Sequence, residues 1–157
     1  MFYGRRVFTP PNMIDKKSKN TKVFLAGSIE MGNCKDWQEE IIKYFRPGKF
    51  VDFYNPRRTD WDKSWSQGFN QPQFFQQVTW EMDALDHADE IVFFFDPETK
   101  GPISLLELGL YKDKNPIVCV PDGFWRKGNI EMVCNKYGLK LCHTMEEFKA
   151  AIKYRLA

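Results

Sequence analysis

Glu107 is the residue that draws chemistry first. It stands in the segment EIVFFFDPETKGPISLLELG, residues 90–109, with Leu105, Leu106, Leu108 and Leu110 around it. A carboxylate set among leucines loses hydration, which disfavours its charged form, so the position is costly unless the group is used. Residues 91–95 form an unbroken β-branched and aromatic run that predicts a strand buried on both faces of a parallel sheet. Asp96-Pro97 stops the strand, a turn-rich loop follows, and residues 103–110 read as an apolar helix. A carboxylate in the first turns of a helix after a strand lies near the carboxyl edge of the sheet, where open α/β proteins bind their ligands. The plainer alternative is a glutamate stabilised by the helix dipole and nothing more.

Other chemistries find little support. His87 and His143 are the two histidines and lie far apart in sequence, which supports neither a metal cluster nor a Ser-His-Asp arrangement. Cys34, Cys119, Cys134 and Cys142 contain no C-x-x-C pair and read as four free thiols in a reducing cytoplasm. A formal net charge of +2, with 28% charged residues of mixed sign, gives no footprint for a nucleic-acid polymer or a membrane. The expected partner is a small molecule, with no metal and no cofactor.

The chain of 157 residues, 43% hydrophobic, is long enough for one core. Residues 1–21 read as an arm or short edge strand (residues 6–9), and residues 22–157 as the domain. Residues 22–25 predict a strand, Ala26-Gly27-Ser28 a tight turn, and residues 36–45 a helix carrying Trp37, Ile41, Ile42 and Phe45. Residues 50–54 form the next strand, closed by Asn55-Pro56. Residues 59–72 are a long loop whose Trp61, Trp65 and Phe69 point to an ordered lid or pocket wall. A helix over 73–87, the strand at 91, the Glu107 helix and a strand over 116–120 follow. A helix over 129–137, an edge strand over 140–142 and a helix over 145–154 end the chain. This alternation predicts an α/β fold, a doubly wound parallel sheet with helices on both faces.

The helix over 73–87 carries two stripes. Phe74, Val78, Met82 and Leu85 recur at the spacing of a core face. Gln76, Trp80, Asp83 and His87 form a second, mixed stripe, and a tryptophan there points to a pocket lining or a subunit contact rather than solvent.

Five segments together resemble the nucleoside 2-deoxyribosyltransferase family, and more closely its nucleoside 2-deoxyribosyltransferase-like branch. They are KVFLAGSIEMGNCKDWQ (22–38), NPRRTDWDKSW (55–65), WEMDALDHAD (80–89), FDPETKGPISLLELG (95–109) and CVPDGFWRKGN (119–129). The resemblance implies a flavodoxin-like fold and cleavage of an N-glycosidic bond with retention. It makes Glu107 the nucleophile, Asp83 the aspartate near the base, and Asn129 the residue that reaches the sugar of a neighbouring subunit's substrate. It also implies a homo-oligomer. The chain departs from the pattern at Gly101, where the transferases carry a second aspartate. It also lacks the phosphate-binding serine of the nucleotide hydrolases, offering Ser104 three residues before Glu107. Base preference and phosphate recognition therefore do not carry over.

The chemistry fits that assignment. A carboxylate beneath C1′ stabilises an oxocarbenium-like state and can trap it covalently. A partly buried acid with a raised pKa supplies the proton for the departing base. The nucleophile must stay ionised, so the two carboxyls need different environments. Ser28 and the backbone of Ala26 and Gly27 are candidates to hold the sugar, or simply join strand to helix. Arg57 and Arg58 can meet a phosphate or pair with Asp60 and Asp62. Asn55, Trp65 and Trp80 complete the candidate binding residues, and one of the tryptophans would stack on a planar base. Three functions remain open: base exchange on deoxynucleosides, hydrolysis of a nucleoside or deoxynucleoside 5′-monophosphate, and a non-catalytic nucleotide-binding module.

Overall fold

The architecture is seen in a computed structural model, which describes residues 4–29, 34–45 and 50–157. Parts of the arm and of segment 22–38 lie outside the described residues.

Six parallel strands make one sheet in the order β1-β3-β2-β4-β5-β6. They are β1 (Arg6–Phe8), β2 (Thr21–Gly27), β3 (Val51–Tyr54), β4 (Glu90–Phe94), β5 (Ile117–Cys119) and β6 (Lys140–Cys142). Among the described residues five α-helices connect or follow them: α1 (Trp37–Tyr44), α2 (Pro72–His87), α3 (Pro102–Tyr111), α4 (Lys127–Tyr137) and α5 (Met145–Arg155). This is the predicted α/β doubly wound fold. The residues expected to be an arm or edge strand supply β1, which pairs with β3 from Arg6 opposite Asp52 to Phe8 opposite Tyr54.

Two apolar layers sandwich the sheet. One joins Phe24, Ala26, Phe93 and Phe95 to Trp80 and Ala84 of α2, Leu108 of α3 and Ile130 of α4. The other joins Val23, Leu25, Phe53 and Phe94 to Trp37 and Ile41 of α1 and Phe148 of α5. Strand residues alternate between the layers, so the continuous apolar runs of β2 and β4 serve both. Among the described residues no helix is long and apolar enough to cross a membrane.

Two local expectations need correction. Ala26 and Gly27 belong to β2 rather than to a turn, paired with Phe93 and Phe94 of β4. A Cβ on Gly27 would sit 2.2 Å from the Phe94 carbonyl oxygen, at φ +144°, so the glycine is demanded by strand packing. The second correction concerns α2. Its buried residues are Gln77, Trp80, Ala84 and Leu85, while Met82 is exposed. The predicted core stripe was therefore rotated, because the N-terminal segment covers Trp80 from outside: the indole Nε1 donates to the Asn12 carbonyl at 2.7 Å and the ring lies 6.3 Å from Phe24.

Candidate active site

The sheet order reverses between β2 and β4, since β3 lies on one side of β2 and β4 on the other. A crevice therefore opens beyond the carboxyl ends of these two strands. Ser28 ends β2 there and Asp96 follows β4. Ser28 is 1% exposed, and its Oγ accepts the Asp96 N–H at 3.0 Å and lies 2.6 Å from the Thr99 hydroxyl. Its carbonyl accepts the Trp37 indole N–H at 3.1 Å. The serine thus ties the central strands to the loop before α3. Ala26 and Gly27 are buried strand residues and serve the same packing.

Gly101 caps α3 in the left-handed conformation at φ 51°, and Pro102 occupies the first helical turn. This start suits Pro at the first helical position. Ser104 and Leu108 turn into the core, and Leu105 and Tyr111 pack against it. Glu107 lies one turn beyond the buried Ser104 and is itself partly exposed. Burial, reinforced by the negative charge of Glu81, pushes the Glu107 carboxyl up to about 8.

Glu81 of α2 is the functional candidate that the sequence reading missed. Its carboxyl is pushed up to about 7 by burial, against a hydrogen bond from Gln77 that favours the charged form. Neither carboxyl has a cation among the causes acting on it. The two helices lie on the same face of the sheet, and they bring together two under-compensated carboxyls. The Glu81 charge adds to the burial that raises Glu107, so both carboxyls stand above the ordinary carboxylate range.

Asp83, the expected acid, is placed elsewhere. Two residues further along α2 a side chain turns by about 200° around the axis. Asp83 accordingly meets Lys16 at 2.9 Å and His87 at 3.5 Å, half exposed. The carboxyls raised by burial are those of Glu81 and of Glu107, the residue expected to stay ionised.

The remaining candidates divide between anchors and walls. Asn55 is buried and its Oδ1 accepts the Arg57 N–H at 3.1 Å, an Asx turn that ends β3. Arg57 is held at the start of α1 by Gln38 at 3.3 Å, Asp36 at 3.3 Å and the Lys35 carbonyl at 3.1 Å. Arg58 pairs with Asp60 at 2.7 Å, as expected, while Asp62 instead accepts the Ser64 N–H. The Arg58 guanidinium also lies 5.4 Å over the Trp65 ring, which packs edge-on against Trp61 at 5.2 Å. Loop residues 59–71 thus pack partly on their own aromatic side chains. Trp80 is a core residue and Asn129 is exposed on the first turn of α4.

The sequence profile of the family described as nucleoside 2-deoxyribosyltransferase like matches residues 20–124. That span runs from before β2 through α3 and β5, and holds both Glu81 and Glu107. The crystal structure of a conserved protein from Enterococcus faecalis is similar in fold, with a TM-score of 0.59 and 16% identity over 87% of this chain and 99% of that chain. No curated protein matches the sequence. With two thirds of its length matched by that profile, the chain belongs to the nucleoside 2-deoxyribosyltransferase-like family.

Proposed function

We propose that the protein is a pentosyl-transferring enzyme that cleaves the N-glycosidic bond of a nucleoside and passes the sugar to a second base. The observation that carries this reading is the Glu81–Glu107 pair. Each carboxyl is raised into the neutral range by burial, with no cation among the described residues acting against it. With one proton in the pair, one carboxyl is a nucleophile and the other an acid. Positive charge developing at C1′ beside Glu107 favours the tautomer with the proton on Glu81. A Glu107 oxygen then bonds to C1′ as the C1′–N bond breaks, its electron pair goes to the base nitrogen, and Glu81 supplies that nitrogen's proton. In the second half an incoming base nitrogen attacks C1′, returns its proton to Glu81 and releases Glu107.

Membership of the family supports a nucleoside as substrate. The aromatic loop with Trp61 and Trp65 supplies ring faces for a planar base. Homo-oligomerisation is part of the proposal. Phe69, Phe75 and Met82 around α2, and Ile103, Leu106 and Leu110 on α3, stay exposed and give an apolar contact surface in place of the Trp80 stripe. Asn129 would act across that assembly.

The test is incubation of the protein with deoxynucleosides and deoxynucleoside monophosphates, with and without a free acceptor base, beside a Glu107→Ala control. A new nucleoside formed only with acceptor is expected. The Glu107→Ala variant should lose at least about 10⁴-fold in turnover, as removal of a nucleophile does. Free base released equally without acceptor would establish the hydrolase instead. Full activity in Glu107→Ala would end the covalent mechanism.

A further inference from the structure

Gln77 lies one helical turn before Glu81 on α2 and is 8% exposed. Its Nε2 donates to the Pro56 carbonyl at 2.9 Å and to Glu81 Oε1 at 2.7 Å. A primary amide nitrogen has two hydrogens, and both are used. The Pro56 carbonyl can only accept, which fixes the orientation of the amide, since a flipped group would set oxygen against oxygen. The other end, Oε1, is buried with no partner among the described residues. A buried acceptor left unsatisfied costs about 1–3 kcal/mol. Leucine or methionine would fill the same helix face without an unsatisfied carboxamide oxygen, so the glutamine is costly as packing. What it provides is a bridge from the carboxyl end of β3 to the carboxyl group of Glu81.

We propose that Gln77 is a positioning residue: its carboxamide, anchored on the Pro56 carbonyl, aims the Glu81 carboxyl and confines the proton of that acid to Oε2. The proposal rests on the reading of Glu81 as the acid of the reaction. An N–H directed at Oε1 makes that oxygen an acceptor in both protonation states, so a proton on Glu81 has one place to sit. The same N–H stabilises the ionised form, which keeps the acid from becoming too weak to give up its proton under the opposing pull of burial. Glu107 on α3 is the charged group that faces the pair from the neighbouring helix, with Tyr111 beyond it. Burial favours the protonated form of Glu81, and the Gln77 contact is the interaction that opposes it.

The experiment is a carboxyl-carbon NMR titration of the full chain without ligand, in wild type and in Gln77→Met, which fills similar space without the donor. The Glu81 midpoint is expected to rise in the variant by about one pH unit, a tenfold change in its ionisation constant. In wild type the Gln77 side-chain N–H signals are expected to shift with the same midpoint as Glu81. That second measurement needs no variant and decides the matter if Gln77→Met does not fold. A midpoint unchanged or lowered in Gln77→Met, or wild-type amide signals indifferent to the Glu81 titration, would overturn the proposal. Neither readout needs turnover, so a protein inactive on every nucleoside would remove the catalytic reading and leave the Gln77–Glu81 linkage to be judged by itself. In an active protein, Gln77→Met should lower kcat about tenfold with KM little changed, because the contact aims an acid and does not hold substrate.

Discussion

Two regions of the molecule withdraw carboxylates from water and treat them in opposite ways. Asp52 on β3 is 0% exposed, and Arg6 on β1 grips it with two bonds, Nε to Oδ1 and a terminal nitrogen to Oδ2, both at 2.8 Å. Asn20 adds a third at 2.9 Å. Burial works to raise that carboxyl, but the hydrogen bonds from Arg6, Ser18 and Asn20 and the guanidinium charge outweigh it and hold it below the usual range. Glu81 has one amide N–H, and Glu107 has a second carboxylate near it. One region compensates its buried charge and thereby clamps the edge strand to the sheet. The other leaves charge uncompensated and thereby keeps protons exchangeable near neutral pH, which is what an acid and a nucleophile require. Burial alone does not distinguish the two roles; the partners do.

Replacing Glu81 by Gln is the largest blow to that contrast. Turnover of ordinary nucleosides should fall about 10²–10⁴-fold, while a deoxyriboside carrying a good leaving group such as 4-nitrophenolate should be nearly spared, because it needs no proton. Equal losses on both substrates would show that Glu81 is not the acid. Asp83→Asn, at the surface with Lys16 and His87, should stay within about twofold of wild type on both.

The compensated region is probed by Arg6→Leu, read by urea unfolding. Removing the cation leaves Asp52 buried with only the neutral donors Ser18 and Asn20, and stability at neutral pH should fall by about 2–3 kcal/mol, at the low end for a buried pair because Arg6 keeps contact with water. The pH dependence has a definite sign. The folded Asp52 carboxyl is lowered from 3.8, so its contribution is present above that value and is lost as pH falls through the lower folded value. Arg6→Leu should therefore flatten the acid limb of the stability curve. A wild-type acid limb kept intact in the variant would mean that the clamp is not what holds Asp52 charged.

Glu107 was legible from local sequence because its signal is local: a single charge among leucines, behind a strand that ends in Asp-Pro. The sheet was legible for the same reason, since runs such as residues 91–95 state their burial directly. Glu81 was hidden because its visibility depends on how α2 is rotated, and that is set from a distance. Trp80 reads as outward until the N-terminal segment is laid over it, with the Asn12 carbonyl on its indole. Once Trp80 turns inward, Gln77 and Ala84 follow it. Asp83 then swings out to Lys16, and Glu81 is left facing its neighbour helix. The small Ala84 one turn after Trp80 was the available hint. Nothing local linked Arg6 to Asp52, and Ser28 looked like a ligand because a strand-end serine that binds and one that braces are spelled the same way.

The unpaired region makes one more prediction, opposite in sign to the clamp. The folded Glu107 carboxyl lies at about 8 against an ordinary value of 4.5, so the folded protein holds a proton that the unfolded chain gives up. Stability must then fall as pH rises from about 4.5, and the loss is complete only above the folded value. Glu81, at about 7, adds to the same slope over a narrower window. Glu107→Gln keeps the shape and removes the titration, so the drop in unfolding free energy between pH 5 and pH 8 should shrink by roughly 2 kcal/mol, short of the full linkage value because Glu107 is partly exposed to water. The variant should thus be more stable than wild type at pH 8 and no more stable at pH 5, a gain where the Arg6 variant shows only loss. Parallel stability curves for wild type and Glu107→Gln would mean that the crevice hydrates Glu107 well enough to charge it at no cost, and the contrast between the two regions would collapse into two ordinary carboxylates.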